Sequence, residues 1–155
     1  MNAPNDCLHE EMTYDLNLLA GSRAAWDRSQ GLRFIYGEMY QDIRLRCIEG
    51  SILEPGSGIG VGKPFFDDLV TSDVVETPDV ARAMSADAIE SDGAGAWANI
   101  FAIDMLHHLM QPMDFFESAA RALKPRGRLI LVEPAATVGG RLFFHSFTMN
   151  RSSRN

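Results

Sequence analysis

Positive charge is scarce in this chain. Fourteen Lys and Arg stand against twenty-one Asp and Glu, leaving a formal net charge of −7. That balance argues against nucleic acid or an anionic membrane surface as partner, because both are held chiefly by surplus cations. Cysteine is scarcer still. Cys7 and Cys47 are too few for a disulfide framework and lack metal-type spacing, so the expected compartment is a reducing cytoplasm; the acids and histidines also lack ligand spacing, so no metal site is expected. No run of about 18 apolar residues occurs, which excludes a transmembrane helix. The N-terminus is polar and acidic, unlike a signal peptide. No internal repeat or low-complexity block is visible. What remains is ordinary for a globular protein, with 46% hydrophobic and 23% charged residues. A length of 155 residues fits one domain. Such a chain buries roughly 68–70% of its unfolded surface.

The informative stretch is Ile52-Leu53-Glu54-Pro55-Gly56-Ser57-Gly58-Ile59-Gly60. A short apolar run ends in an acid and breaks into alternating glycines, the pattern of a strand feeding a tight turn that opens a helix. Glycine at every second position permits positive φ and leaves room for a ligand against the backbone. A helix beginning there would aim its unpaired N–H groups at the same place. The ligand that suits these features is a nucleoside-like cofactor with a cationic or hydroxyl-rich edge.

Taken in order, residues 1–11 are polar and expected to be loose. Met12, Leu16 and Leu19 define a first helix closed by Gly21 and Ser22. Leu32, Ile35, Tyr36, Met39 and Ile43 keep three-and-four spacing, predicting a second helix over 32–47. Both helices are expected to cover the sheet rather than roof a cleft. Gly62 and Pro64 limit 61–68 to a short helix at best. Strands are predicted at 69–75 and 80–84, a loop at 85–96, and a buried strand at 97–103. Pro112 opens a helix whose core face is Phe115, Phe116, Ala119 and Leu123, and Pro125 and Gly127 stop it. Arg128 to Glu133 forms the last clear strand. Gly139-Gly140 is a hinge, and 136–155 reads as an incomplete C-terminal segment.

Strands alternating with helices imply a parallel sheet covered on both faces. Ligands of such sheets lie beyond the carboxyl ends of the strands, where strand order reverses. Glu54, Asp73, Asp104 and Glu133 all fall at or just past predicted strand ends.

Three glycine-loop readings compete. The phosphate-binding loop fails, since Ser57 stands where its first glycine belongs and Pro64 where its hydroxyl residue belongs. The dinucleotide fingerprint is weakened by Val61 at its third glycine. Glu-x-Gly-x-Gly-x-Gly is matched in full by Glu54 through Gly60. Together with Thr71-Ser72-Asp73-Val74, Ile103 through Leu109 and Leu123 through Leu129, this stretch resembles the class I S-adenosylmethionine-dependent methyltransferases of the small-molecule branch. The resemblance covers roughly residues 32–145. It implies an α/β, Rossmann-like three-layer sandwich with a mostly parallel sheet of about five strands in the order 3-2-1-4-5. It divides the single domain into N-terminal helices (1–48), a cofactor-binding core (49–135) and the segment 136–155.

The resemblance also implies roles. Glu54, Gly56, Ser57 and Gly58, with Gly60 completing the motif, would hold the methionine end of S-adenosylmethionine. Asp73, followed by Val74, would take the ribose hydroxyls. The backbone near Ala86 and Asp87 would meet adenine, and Asp104 would flank the sulfonium. His107 and His108 are the candidates for a catalytic base, with a structural role expected ahead of it. The sequence departs from the family in the adenine loop, where Glu90-Ser91 replaces an apolar turn, and in the short segment carrying Pro64. Relatives continue into another helix and two more strands, which this sequence lacks. The missing strands would leave one edge of strand 128–133 open, so association into a homo-oligomer through that edge is expected. The functional expectation is methyl transfer to a small-molecule acceptor. Its alternatives are an inactive relative serving as a binding or assembly module, and a nicotinamide-dependent oxidoreductase.

Overall fold

A computed structural model describes residues 3–134, with side chains from residue 16 onward. The expectations for 136–155 lie outside the described residues. Helix α1 (Ala3–Arg28) is one continuous element. It runs through residues expected to be loose and through Gly21-Ser22, where it was expected to stop. A glycine in a helix costs about 1 kcal/mol relative to alanine, which weakens a helix without breaking it. The break comes at Ser29. This residue caps α2 (Gln30–Arg46), its hydroxyl accepting from the Leu32 amide at 3.1 Å. The Arg33 guanidinium donates to the carbonyls of Trp26 and Asp27, satisfying acceptors that the end of α1 leaves unpaired.

Among the described residues the sheet has five strands, all parallel. β1 (Ile52–Pro55) lies at its centre, between β2 (Leu69–Asp73) and β4 (Trp97–Ile103). β3 (Arg82–Ala83) flanks β2, and β5 (Leu123–Val132) flanks β4, giving the order β3-β2-β1-β4-β5. This is the Rossmann-like α/β arrangement expected, with strand order reversing between β1 and β4. Alternation assigns the two faces. Leu53, Ile100 and Leu129 pack with Phe115, Ala119 and Ala122 of α3 (Pro112–Ala122). Phe101, Ile103 and Ile130 pack with Tyr40 and Ile43 of α2 and with Phe66. Each buried large side chain contributes about 1.5–3 kcal/mol. No described helix is long and apolar enough to cross a membrane.

Three local differences bear on the site. The glycine turn opens no α-helix. Only a three-residue 3-10 turn, Lys63–Phe65, follows it. Aromatic packing covers the sheet there instead, with Phe65 stacked on Tyr40 at 5.0 Å and Phe66 on Phe101 at 5.2 Å between ring centroids. The predicted second and third strands are trimmed to five and two residues, and 3-10 structure over Ala86–Asp92 occupies the predicted loop. Finally, α3 ends at Ala122 because Leu123 already has extended dihedrals and pairs with Trp97. Pro125 and Gly127 therefore belong to a bulged start of β5 rather than to a helix stop. Arg126 takes a left-handed φ of 68° in that bulge.

Candidate functional site

The site forms where the carboxyl ends of β1, β2 and β4 meet. Gly56, Gly58 and Gly60 have φ values of 65°, 54° and 64°, so the alternating glycines all take the left-handed conformation. They do not serve one purpose. A Cβ on Gly56 would lie 2.4 Å from Met105 Cγ. A Cβ on Gly60 would lie 2.4 Å from the Asp79 carbonyl oxygen. Gly60 is thus required by the protein's own chain; it lines neither of the two cavities that Gly56 and Gly58 share, but does line a third. Gly58 donates its amide to Asp73 Oδ2 at 2.8 Å, tying the turn to the end of β2.

Those two cavities adjoin each other at the turn, and Gly56, Gly58 and Leu19 line both. The first, of about 290 Å³, is walled by Trp26, Tyr36, Tyr40, Glu54 and Ser57. The second, of about 480 Å³, is walled by Asp73, Val74, Ser85, Ala86, Met105 and His108. No lysine or arginine lines either one. Helix α2 covers the sheet and also walls the first cavity through Tyr36 and Tyr40, while α1 reaches both cavities through Leu19 and the larger one through Leu18.

Glu54 is 3% exposed. Its Oε1 accepts from the Tyr40 hydroxyl at 2.9 Å, while Oε2 has no partner among the described residues. Burial pushes this carboxyl up to about 8, and the Tyr40 hydrogen bond offsets only part of that. Burial and the neighbouring Glu54 in turn push the Tyr40 phenol well above its ordinary range. Ser57 is 9% exposed. Its amide donates to the Ser72 carbonyl at 2.9 Å, and its hydroxyl is also unpartnered.

Asp73 accepts from the amides of Gly58 and Val75, at 2.8 and 3.2 Å. A carboxylate has roughly four acceptor positions, so capacity remains for ligand hydroxyls. Val74 beside it is 67% exposed. Ala86 is buried against the larger cavity, whereas Asp87 is exposed and outside its lining. Asp104 stands just past β4 with φ 52°, an unusual value for a residue other than glycine. It does not line either cavity. It accepts from the Tyr36 hydroxyl at 3.1 Å, and burial together with Asp104 pushes that phenol up to about 12.

The histidines separate. His107 Nδ1 contacts Glu133 Oε2 at 2.8 Å, and the amides of Met105 and Leu106 donate to Oε1 of the same carboxylate. Burial pushes Glu133 up, but the His107 contact and the two amides outweigh it and hold the carboxyl below its ordinary range. This cluster fixes the turn after β4. His108 alone lines the larger cavity. Tyr36, which sequence reasoning assigned only to a helix face, and Tyr40, which it did not single out, emerge as site residues. Their spacing of four on one face of α2 was the available signal.

Scanned against models of known protein families, the chain matches none, and a search of curated proteins likewise finds no match.

Proposed function

We propose that this chain binds S-adenosylmethionine and transfers its methyl group to a small-molecule acceptor. One observation carries the reading. Two buried oxygens without partners, Glu54 Oε2 and Ser57 Oγ, belong to a cavity that meets the Asp73 cavity across two bare glycines. Buried polar atoms are normally paired, and an unpaired one calls for an explanation such as a ligand. Glu54 and Ser57 would hold the ammonium end of the cofactor. Asp73 would accept from the ribose hydroxyls, with Val74 and Ala86 beside the base. Trp26, Tyr36 and Tyr40 line this cavity, and aromatic walls suit a cation. When bound, the cofactor supplies a methyl group on a positively charged sulfur. The chain's own contribution is orientation and exclusion of water by the α1 roof.

The geometry suits a sulfonium nucleoside better than a nicotinamide dinucleotide. A dinucleotide rests its pyrophosphate on the N-terminus of the helix after the glycine turn. Here that position holds only the Lys63–Phe65 turn. Calorimetry with S-adenosylmethionine, its demethylated product and NAD tests the reading. The first two should bind and NAD should not; the reverse would establish the oxidoreductase. Binding without turnover on a panel of acceptors would leave a silent binding module. Asp73→Ala should weaken cofactor binding by about 1–3 kcal/mol, the cost of lost hydrogen bonds at one carboxylate. Unchanged affinity would remove Asp73 from the site. The reading includes self-association along β5, which pairs with β4 alone among the described residues. Light scattering that returns a monomer would eliminate that part.

A further inference from the structure

A third cavity, of about 400 Å³, opens on the far side of the glycine turn and collects the opposite charge. Arg23, Arg33 and Lys63 line it, against a single acid, Asp79. That acid is already paired with Arg23 at 2.8 Å. The sorting is sharp in a chain whose acids outnumber its bases by seven, twenty-one to fourteen. Both cavities on the inner side of the turn lack lysine and arginine altogether.

Arg23 and Arg33 are held in place rather than mobile on the surface. Arg23 donates to the Ile59 carbonyl at 2.6 Å as well as pairing with Asp79. Arg33 is fixed by the two carbonyls closing α1. Each guanidinium has five N–H donors, so these contacts leave donors to spare. The Lys63 ammonium has no partner among the described residues, although the chain holds surplus carboxylates. Trp26 and Phe65 supply aromatic walls. Trp26, Ile59 and Val61 are shared with the 290 Å³ cavity, so the two spaces adjoin.

We infer that this cleft is a subsite for a small aromatic molecule bearing an oxyanion, either a carboxylate or a phosphate monoester. Fixed guanidinium groups match planar or tetrahedral oxyanions, Lys63 adds a point charge, and the aromatic walls take the ring. Cations gathered in a cleft also raise the local concentration of an anionic ligand. The site stands on this charge arrangement alone. Its use as the anchor of a methyl acceptor rests on the methyl-transfer reading.

The test is titration of the intact chain with benzoate, phenyl phosphate and benzyl alcohol, followed by amide NMR shifts of residues 59–63 and 65 and by tryptophan fluorescence. At least one of the two anions should saturate, and the tighter one names the oxyanion. The neutral alcohol should bind at least tenfold more weakly. Lys63→Glu should weaken the anion at least tenfold with an unchanged circular dichroism spectrum, because its ammonium holds no described structural contact. Lys124→Glu, on β5, should change nothing. Failure of both anions to saturate, equal binding of the alcohol, or undiminished binding to the Lys63→Glu protein overturns the subsite. Calorimetry with S-adenosylmethionine on the same samples separates the two ideas. Cofactor binding without an anion response removes only the subsite, and an anion response without cofactor binding removes only the methyl-transfer reading.

Discussion

Glu54→Gln should stabilise the unliganded fold by about 3–5 kcal/mol near pH 9 and by little near pH 5. Burial raises the Glu54 carboxyl from 4.5 to about 8, so the folded chain holds this proton more tightly than the unfolded chain does. Between those two values the folded state binds more protons. Stability therefore falls as pH rises from about 4.5 towards 8, and the loss is complete above that. Glutamine has no proton to release. It keeps the oxygen that accepts from the Tyr40 hydroxyl, and its shape matches the carboxyl it replaces. Denaturant unfolding of both proteins from pH 5 to pH 9 should give profiles that diverge steadily. Parallel profiles would mean that water or a counter-charge reaches Glu54 and that the cavity is not dry. Under the methyl-transfer reading the same substitution weakens cofactor binding, so stability and binding should move in opposite directions.

Gly60→Ala should cost about 2–5 kcal/mol, well beyond Gly58→Ala at about 1–2 kcal/mol. Both positions have left-handed φ, so both carry the backbone penalty. They differ in what a methyl group meets. At Gly58 the nearest atom is Leu19 Cδ2 at 3.7 Å, an ordinary contact with a side chain that can yield. At Gly60 it is the Asp79 carbonyl oxygen at 2.4 Å, part of a backbone that cannot yield without moving the β2–β3 connection. Ligand affinity should order differently, because Gly58 lines both inner cavities and Gly60 neither. Thermal unfolding of the two variants decides the point. Equal losses would show that the connection carrying Asp79 gives way easily.

The sheet was legible because its signals are local and redundant. β1, β2, β4 and the second half of β5 each carry a short apolar stretch, and the acids Glu54, Asp73, Asp104 and Glu133 do fall at or beside strand ends. Helix ends were less legible. Gly21-Ser22 resembles a terminator, yet α1 continues because nothing in the pair removes a hydrogen bond, and the stop at Ser29 depends on Arg33 arriving from the next helix. The start of β5 was hidden because Pro125 and Gly127 carry the same letters in a bulge as in a helix stop. Within the site, sequence placed the acids but not their partners. Glu54 is tuned by Tyr40, fourteen positions earlier, and Asp104 meets Tyr36, sixty-eight positions away. Nor does the motif spacing show that Gly60 permits the close approach of the Asp79 carbonyl.

Met105 fills the volume that a side chain at position 56 would need, and it also lines the larger cavity. Two residues from distant parts of the chain thus behave as a single fitting. Bulk added at 56 must be surrendered at 105, and a smaller side chain at 105 is expected to relieve the steric part of a substitution at 56, leaving the cost of its left-handed φ. The breadth of the bed beneath any ligand is therefore set jointly by the bend after β1 and the corner after β4.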